Sequence, residues 1–188
     1  ATAWLRALVL AQMIVQLIAP GELFAGEPTL HVHVDARQLP RKLLRSVIQF
    51  EAQGDTVAMR YPEWIPGIHA PRGPVANLGG FIPRDAAGNV LRWERDWSDV
   101  YRLLVLREGS DSSEKLSVEL TYIANQPSVN SVGVDVFGAP TLGIINWNTV
   151  LLKPEGISAA ALRVELELTL PPDWQAGSAL TVASRHGN

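Results

Sequence analysis

The sequence predicts an all-β fold, an antiparallel β-sandwich preceded by an N-terminal signal-peptide-like helical segment. Three observations predict it. Beyond residue 27, apolar and polar residues alternate with period two in one short run after another. Clusters of Gly, Pro, Asp and Ser punctuate those runs at near-regular spacing. No stretch there sustains a helical period, although RQLPRKLLRSV has room for one short turn.

The strands follow in order. TLHVHVD, residues 29–35, puts Leu30, Val32 and Val34 on one face and His31, His33 and Asp35 on the other. LRSVIQFEA and TVAMRY are two further strands, separated by the turn signal Gly54-Asp55. VYRLLVLR reads as a more buried strand, and KLSVELTYIA aligns Leu116, Val118, Leu120 and Tyr122. In ALRVELELTL, Leu162, Val164, Leu166, Leu168 and Leu170 face inward while Arg163, Glu165, Glu167 and Thr169 face out. Such alternation describes a sheet wetted on one side. Turns are expected at 85–89, 107–113, 153–156 and 171–173. The last stretch, LPPDWQAGSALTVASRHGN, reads as a strand, a loop and a second strand cut off in a polar turn. That ending predicts a piece of a longer protein.

A chain of 188 residues has room for one domain, or for a domain plus a targeting segment. A net charge of −3 is far from the basic balance that tracks a phosphate backbone, so nucleic acid is not an expected partner. With no cysteine, disulfides, thiolate metal sites and a cysteine nucleophile are excluded. Residues 1–27 differ from the rest. Arg6 precedes the apolar run ALVLAQMIVQLIAP, and Ala25 and Gly26 stand before Glu27, a pattern that fits a secretory signal peptide. Gln12 and Gln16 interrupt the run, which is too short for a stable membrane span. A buried N-terminal helix is the competing reading. The expected division is therefore 1–27 as a signal-peptide-like segment and 28–188 as the β-domain, exported to the periplasm or beyond.

One connection stands out: YPEWIPGIHAPRGPVANLGG, residues 61–80. Pro66-Gly67 suits the centre of a type II turn, because Pro presets φ and Gly accepts a positive one. Pro71 and Pro74 stiffen the chain around Arg72. A rigid loop bearing Trp64, His69 and Arg72 is the kind of element that binding uses. The plainer reading has Trp64 plugging the end of the sandwich and Arg72 paired to Glu63 or Asp99.

These residues carry a resemblance. Pro62, Trp64, Pro66, Gly67 and Arg72, continued by Asp85, Gly88 and Trp93, resemble the N-terminal domain of the M61 glycyl aminopeptidase family. Tyr122, Ala124 and Asn125, then Leu170, Pro171, Trp174 and Ala179, are similar to two later segments of that domain. The similarity runs in order from about Leu30 to Ala183. It departs at His69, where the family has an aromatic, and at Asn130, where it has an Arg. The resemblance implies a zinc aminopeptidase whose metal sits on a His-Glu-x-x-His helix, with the Glu activating the zinc-bound water. His31, His33, His69 and His186 are the only histidines here, none is followed by Glu, and no pair has the i, i+4 spacing. The expected zinc therefore belongs to a catalytic domain C-terminal to this chain, which is also its expected partner. Peptide substrate is a possible second partner.

Other chemistry is not supported. His31 and His33 share a strand face, but a third ligand such as Asp35 or His69 would have to join them there. No Gly-x-Ser-x-Gly occurs, and neither Ser131 nor Ser178 has a base close in sequence. Leu78-Gly-Gly80 lacks the Lys-Ser/Thr that a phosphate loop needs. Glu165 and Glu167 read as a solvated strand face. Two functions stand: a non-catalytic domain that braces a peptidase and walls its substrate cleft, contacting through Trp64, Pro66, Gly67, His69 and Arg72, or a stand-alone exported module that binds protein or glycan. For the second, Trp93 and Trp97 could stack a sugar, or else be core and rim of one hairpin.

Overall fold

The computed structural model describes residues 27–65, 69–109, 113–124 and 136–185. The signal-like segment before Glu27, Pro66 and Gly67 with their expected turn, and Asn125, Asn130, Ser131 and His186 lie outside the described residues. Eleven strands are described: β1 (Thr29–Asp35), β2 (Leu43–Ala52), β3 (Thr56–Arg60), β4 (Leu78–Arg84), β5 (Arg92–Arg95), β6 (Arg102–Leu106), β7 (Glu114–Ile123), β8 (Val136–Gly138), β9 (Gly143–Ile145), β10 (Lys153–Pro154) and β11 (Arg163–Thr169). A five-stranded sheet runs β11-β1-β2-β7-β4, a four-stranded sheet β10-β3-β6-β5, and β8 pairs β9. Every ladder is antiparallel except the parallel pairing of β11 with β1.

The two larger sheets bury their inner faces in one shared cluster. Val34, Ile48, Val118 and Leu120 come from one sheet, and Met59, Leu103 and Val105 from the other, all at 0% exposure. Burying each such side chain stabilises the fold by about 1.5–3 kcal/mol. The period-two pattern thus does what it predicted: it lays one apolar face per sheet and presses the two together. The expected short turn also forms, as a 3-10 turn at Leu39–Arg41 that ends on Lys42 in the left-handed region, φ 69°.

Three details depart from the alternation. VYRLLVLR is more covered than simple alternation implies: Leu103 and Val105 of β6 are buried and their neighbours half-buried, with none of β6 exposed. β11 is an edge strand, so its inward residues are only partly covered and Val164 is 43% exposed. Past Pro171 the second strand expected from the sequence does not form: among the described residues 171–185 nothing enters a ladder, and Leu180 and Val182 stay half in solvent. Alternation alone does not make a strand without a neighbour to hydrogen-bond.

The sequence-level period also hid β4. Its Leu78 and Phe81 are both buried although three residues apart. Gly80 adopts φ 59°, and Gly80-Phe81 together oppose Leu120 in a bulge between the pairs Gly79↔Thr121 and Ile82↔Glu119. The extra residue flips the side-chain parity, which is how one face stays apolar. The Gly-Gly pair is a strand bulge.

Topology sorts the connections between the two ends of the sandwich. At one end of the sandwich, residues 53–55, 85–91, 107–113 and 155–162 cross between the sheets. At the other end lie 36–42, the long 61–77 loop, 96–101, 146–152 and the chain after β11. The candidate residues all belong to this second end.

Candidate functional site

The 61–77 loop leaves β3 through a fixed point. Tyr61 is 1% exposed; its amide donates to the Tyr101 carbonyl at 2.8 Å and its hydroxyl to the Thr149 carbonyl at 2.9 Å. Ile65, directly after Trp64, is buried. The return arm closes on the outgoing one. The Gly73 amide donates to the Glu63 carbonyl at 2.8 Å, and a Cβ on Gly73 would sit 1.7 Å from the Pro62 oxygen. Glycine is therefore required by close approach of backbone to backbone. From the neighbouring 96–101 turn, the Tyr101 hydroxyl lies 3.1 Å from the Pro71 carbonyl and 3.3 Å from that of Gly73, sharing its proton between them. Asn77 then fastens the loop to β7 through its amide, 2.7 Å from the Ile123 carbonyl.

What this frame presents is Trp64 at 63% exposure, with His69 and Arg72 also exposed. Trp64 does not plug the sandwich; Tyr61, which joins the core cluster, does. Nor does Arg72 pair with Glu63 or Asp99. Those acids turn to Arg60, which lies 2.7 Å from Asp99 and 4.0 Å from Glu63. Among the described residues the Arg72 guanidinium has no hydrogen-bond or ion-pair partner. The loop's cation is thus left available.

Below the loop an ion-pair network locks β3, β6 and the β10 turn together. Glu155 bridges Arg60 at 3.2 Å and Arg102 at 2.9 Å, and Arg102 reaches Asp96 at 3.1 Å. Hydrogen bonds from the Ser98 hydroxyl and amide, then from Arg102, hold the Asp96 carboxyl at about 2. The Arg102 hydrogen bond likewise holds Glu155 below the usual carboxylate range, against the effect of burial. Burial works against the charge of Arg60, but the hydrogen bonds to Asp99 and Glu155 outweigh it and its pKa rises.

The adjacent hairpin splits its two tryptophans. Trp93 on β5 packs edge-on against Phe81 with centroids 4.8 Å apart. Trp97, in the turn, is 93% exposed. The core-and-rim reading of this pair holds. At the same end a cleft of ≈ 270 Å³ is walled by Leu39, Trp147, Leu168, Leu170 and Trp174. Sequence reasoning missed this cleft and the roles of Gly73 and Tyr101, because each arises from residues far apart in the chain.

The remaining candidates go elsewhere. His31 on the outer face of β1 faces Glu165 at 3.1 Å, and His33 is bonded to the Thr169 hydroxyl at 2.8 Å. Asp35 is taken by Arg37 at 2.6 Å, while His69 lies on the 61–77 loop. Among the described residues no group of three or more His, Asp or Glu is placed to hold a metal. Glu165, between His31 and Arg163, and Glu167 are exposed on an edge strand.

Comparisons with known proteins place this architecture. No curated protein matches the sequence. Among solved structures, an aminopeptidase N family protein from Idiomarina loihiensis superposes with a TM-score of 0.61 at 22% identity, covering 76% of this chain and 22% of that one. An M1 zinc metallopeptidase from Deinococcus radiodurans, bound to a Tyr-Ser-Ala substrate, gives a TM-score of 0.45 at 10% identity, covering 85% of this chain and 36% of that one. This chain therefore spans well under half of the solved chains it resembles. The family model described as the peptidase M61 N-terminal domain matches residues 31–188, which takes in both sheets and the whole 61–77 loop. With its β-sandwich and its match over nearly all of the described strands, the chain belongs to the peptidase M61 N-terminal domain family.

Proposed function

We propose that this chain is the non-catalytic N-terminal β-domain of an M61-type zinc aminopeptidase, which braces a catalytic domain of the same protein and walls one side of its substrate cleft. The family match over residues 31–188 carries the reading. The loop supports it further: Trp64 offers an apolar wall, and the unpaired Arg72 suits a carboxylate of the neighbouring domain or of a peptide, which its planar fork can grip at two points. The family's zinc and the water it activates belong to the catalytic domain, and this chain's part is to position and enclose. Residues 28–188 form the domain, and residues 1–27 export the protein to the periplasm or beyond.

The test is the parent reading frame past Asn188. A His-Glu-x-x-His followed by a later zinc-binding Glu is the expected result. A stop codon directly after Asn188 would overturn the proposal and leave the stand-alone binding module.

A further inference from the structure

We propose that the contact surface for the catalytic domain is not the 61–77 loop alone but a continuous rim that includes the β5–β6 turn, with Trp97 as its second anchor. The inference rests on the reading above that such a domain exists. Its starting point is the exposure of two indoles, 63% for Trp64 and 93% for Trp97. Exposed tryptophans in a chain that packs Trp93, half-buried, against Phe81 call for an explanation.

Strand register puts both at one end. Arg60 of β3 pairs with Arg102 of β6, and Arg95 of β5 with Leu103, so the loop after β3 and the turn between β5 and β6 leave the same sheet side by side. They are tied at four points: the Tyr61 amide to the Tyr101 carbonyl, the Tyr101 hydroxyl to the Pro71 and Gly73 carbonyls, and Arg60 to Asp99. The turn is itself preformed, since Asp96 accepts from Ser98 and Asp99 from the Tyr101 amide. Val100, half exposed, adds apolar surface to the same turn.

Such ties matter because ordering loops and side chains on binding costs affinity, and the described arms of the loop and the turn are already held together. Indoles and arginines held this way are the residue types that dominate interface energies. Charge selects the partner's chemistry. The acids of the rim, Glu63, Asp96 and Asp99, lie against Arg60 and Arg102, whereas Arg72 has no partner among the described residues. The rim thus fits a folded protein face with apolar recesses and a carboxylate. A neutral glycan would supply stacking surface but no carboxylate for Arg72.

Site-specific photo-cross-linking on the intact parent protein tests this. A photoreactive phenylalanine derivative is placed at position 64, at position 97, or at position 90, where Val90 is equally exposed but at the opposite end. Cross-links from 64 and 97 to the catalytic domain, several-fold above the yield from 90, are expected. Cross-links from 64 without 97 would overturn the extended rim while leaving the proposed function intact. Failure of both positions, or capture of a second copy or another protein, would overturn both readings. Equal yield from 90 would mean that no defined surface exists.

Discussion

A methyl group at Gly73 has nowhere to go: its carbon would lie 1.7 Å from one backbone atom and 2.8 Å from the next, both of Pro62. Gly73→Ala is therefore expected to cost about 2 kcal/mol or more, since backbone must shift to admit it. Gly54 provides the contrast. It has open space and only a positive φ of 82°, so Gly54→Ala should cost about 1 kcal/mol. Urea denaturation of both variants checks the ranking. Tyr101 acts on the same loop from the other side. Tyr101→Phe removes the shared hydroxyl proton, and a loss of about 1 kcal/mol together with faster hydrogen exchange at the Gly73 amide is expected. Unchanged exchange would show that the loop holds its shape without this tether. The sequence displays Trp64, His69 and Arg72 as candidates by type, whereas Gly73 and Tyr101 matter through contacts across 10 and 30 or so positions that no local pattern encodes.

At the scale of elements, the Asp96–Arg102–Glu155–Arg60 network joins β6, β10 and β3. Asp96 has a folded value of about 2 against an ordinary 3.8, and Glu155 is lowered from 4.5. A depressed carboxylate contributes stability that is present above its unfolded pKa and is lost as pH falls through the folded one. For Asp96 that window runs from 3.8 down to about 2. Asp96→Asn should flatten the pH dependence of stability across the window, and Arg102→Gln should move the acid-unfolding midpoint upward. Denaturation curves collected from neutral to acid pH measure both; a profile identical to wild type would refute the linkage. Strand existence was legible here wherever apolar residues alternate, as in β1, β2, β3, β6, β7 and β11. β4 was not, because the Gly80 bulge breaks the period, and two- or three-residue strands such as β8, β9 and β10 are too short to show one.

For the molecule as a whole, one end of the sandwich carries turns that cross between the sheets, and the other carries the 61–77 loop, the two exposed indoles and the aromatic cleft. That polarity agrees with a domain that presents one end to something larger. Among the described residues no His, Asp or Glu cluster is placed to hold a metal, and His31, His33 and Asp35 are engaged with Glu165, Thr169 and Arg37. The purified 188-residue chain is therefore expected to release no N-terminal glycine or alanine from peptides, with or without added zinc. Chelator-sensitive release in a peptidase assay would contradict this.

By itself the sequence determined the all-β class, the inward faces of the central strands, and the family, through Pro62, Trp64 and Arg72 with the segments around Tyr122 and Trp174. These are properties that local alternation and short motifs record directly. Only the tertiary structure decided that Arg60 takes the acids that Arg72 was expected to bind, that Trp93 is core while Trp97 is rim, and that β11 runs parallel to β1 as a half-covered edge. Partner choice among charges, and burial among like side chains, depend on which strands lie side by side. That is set by the packing of the two sheets and is not written in any one stretch of chain.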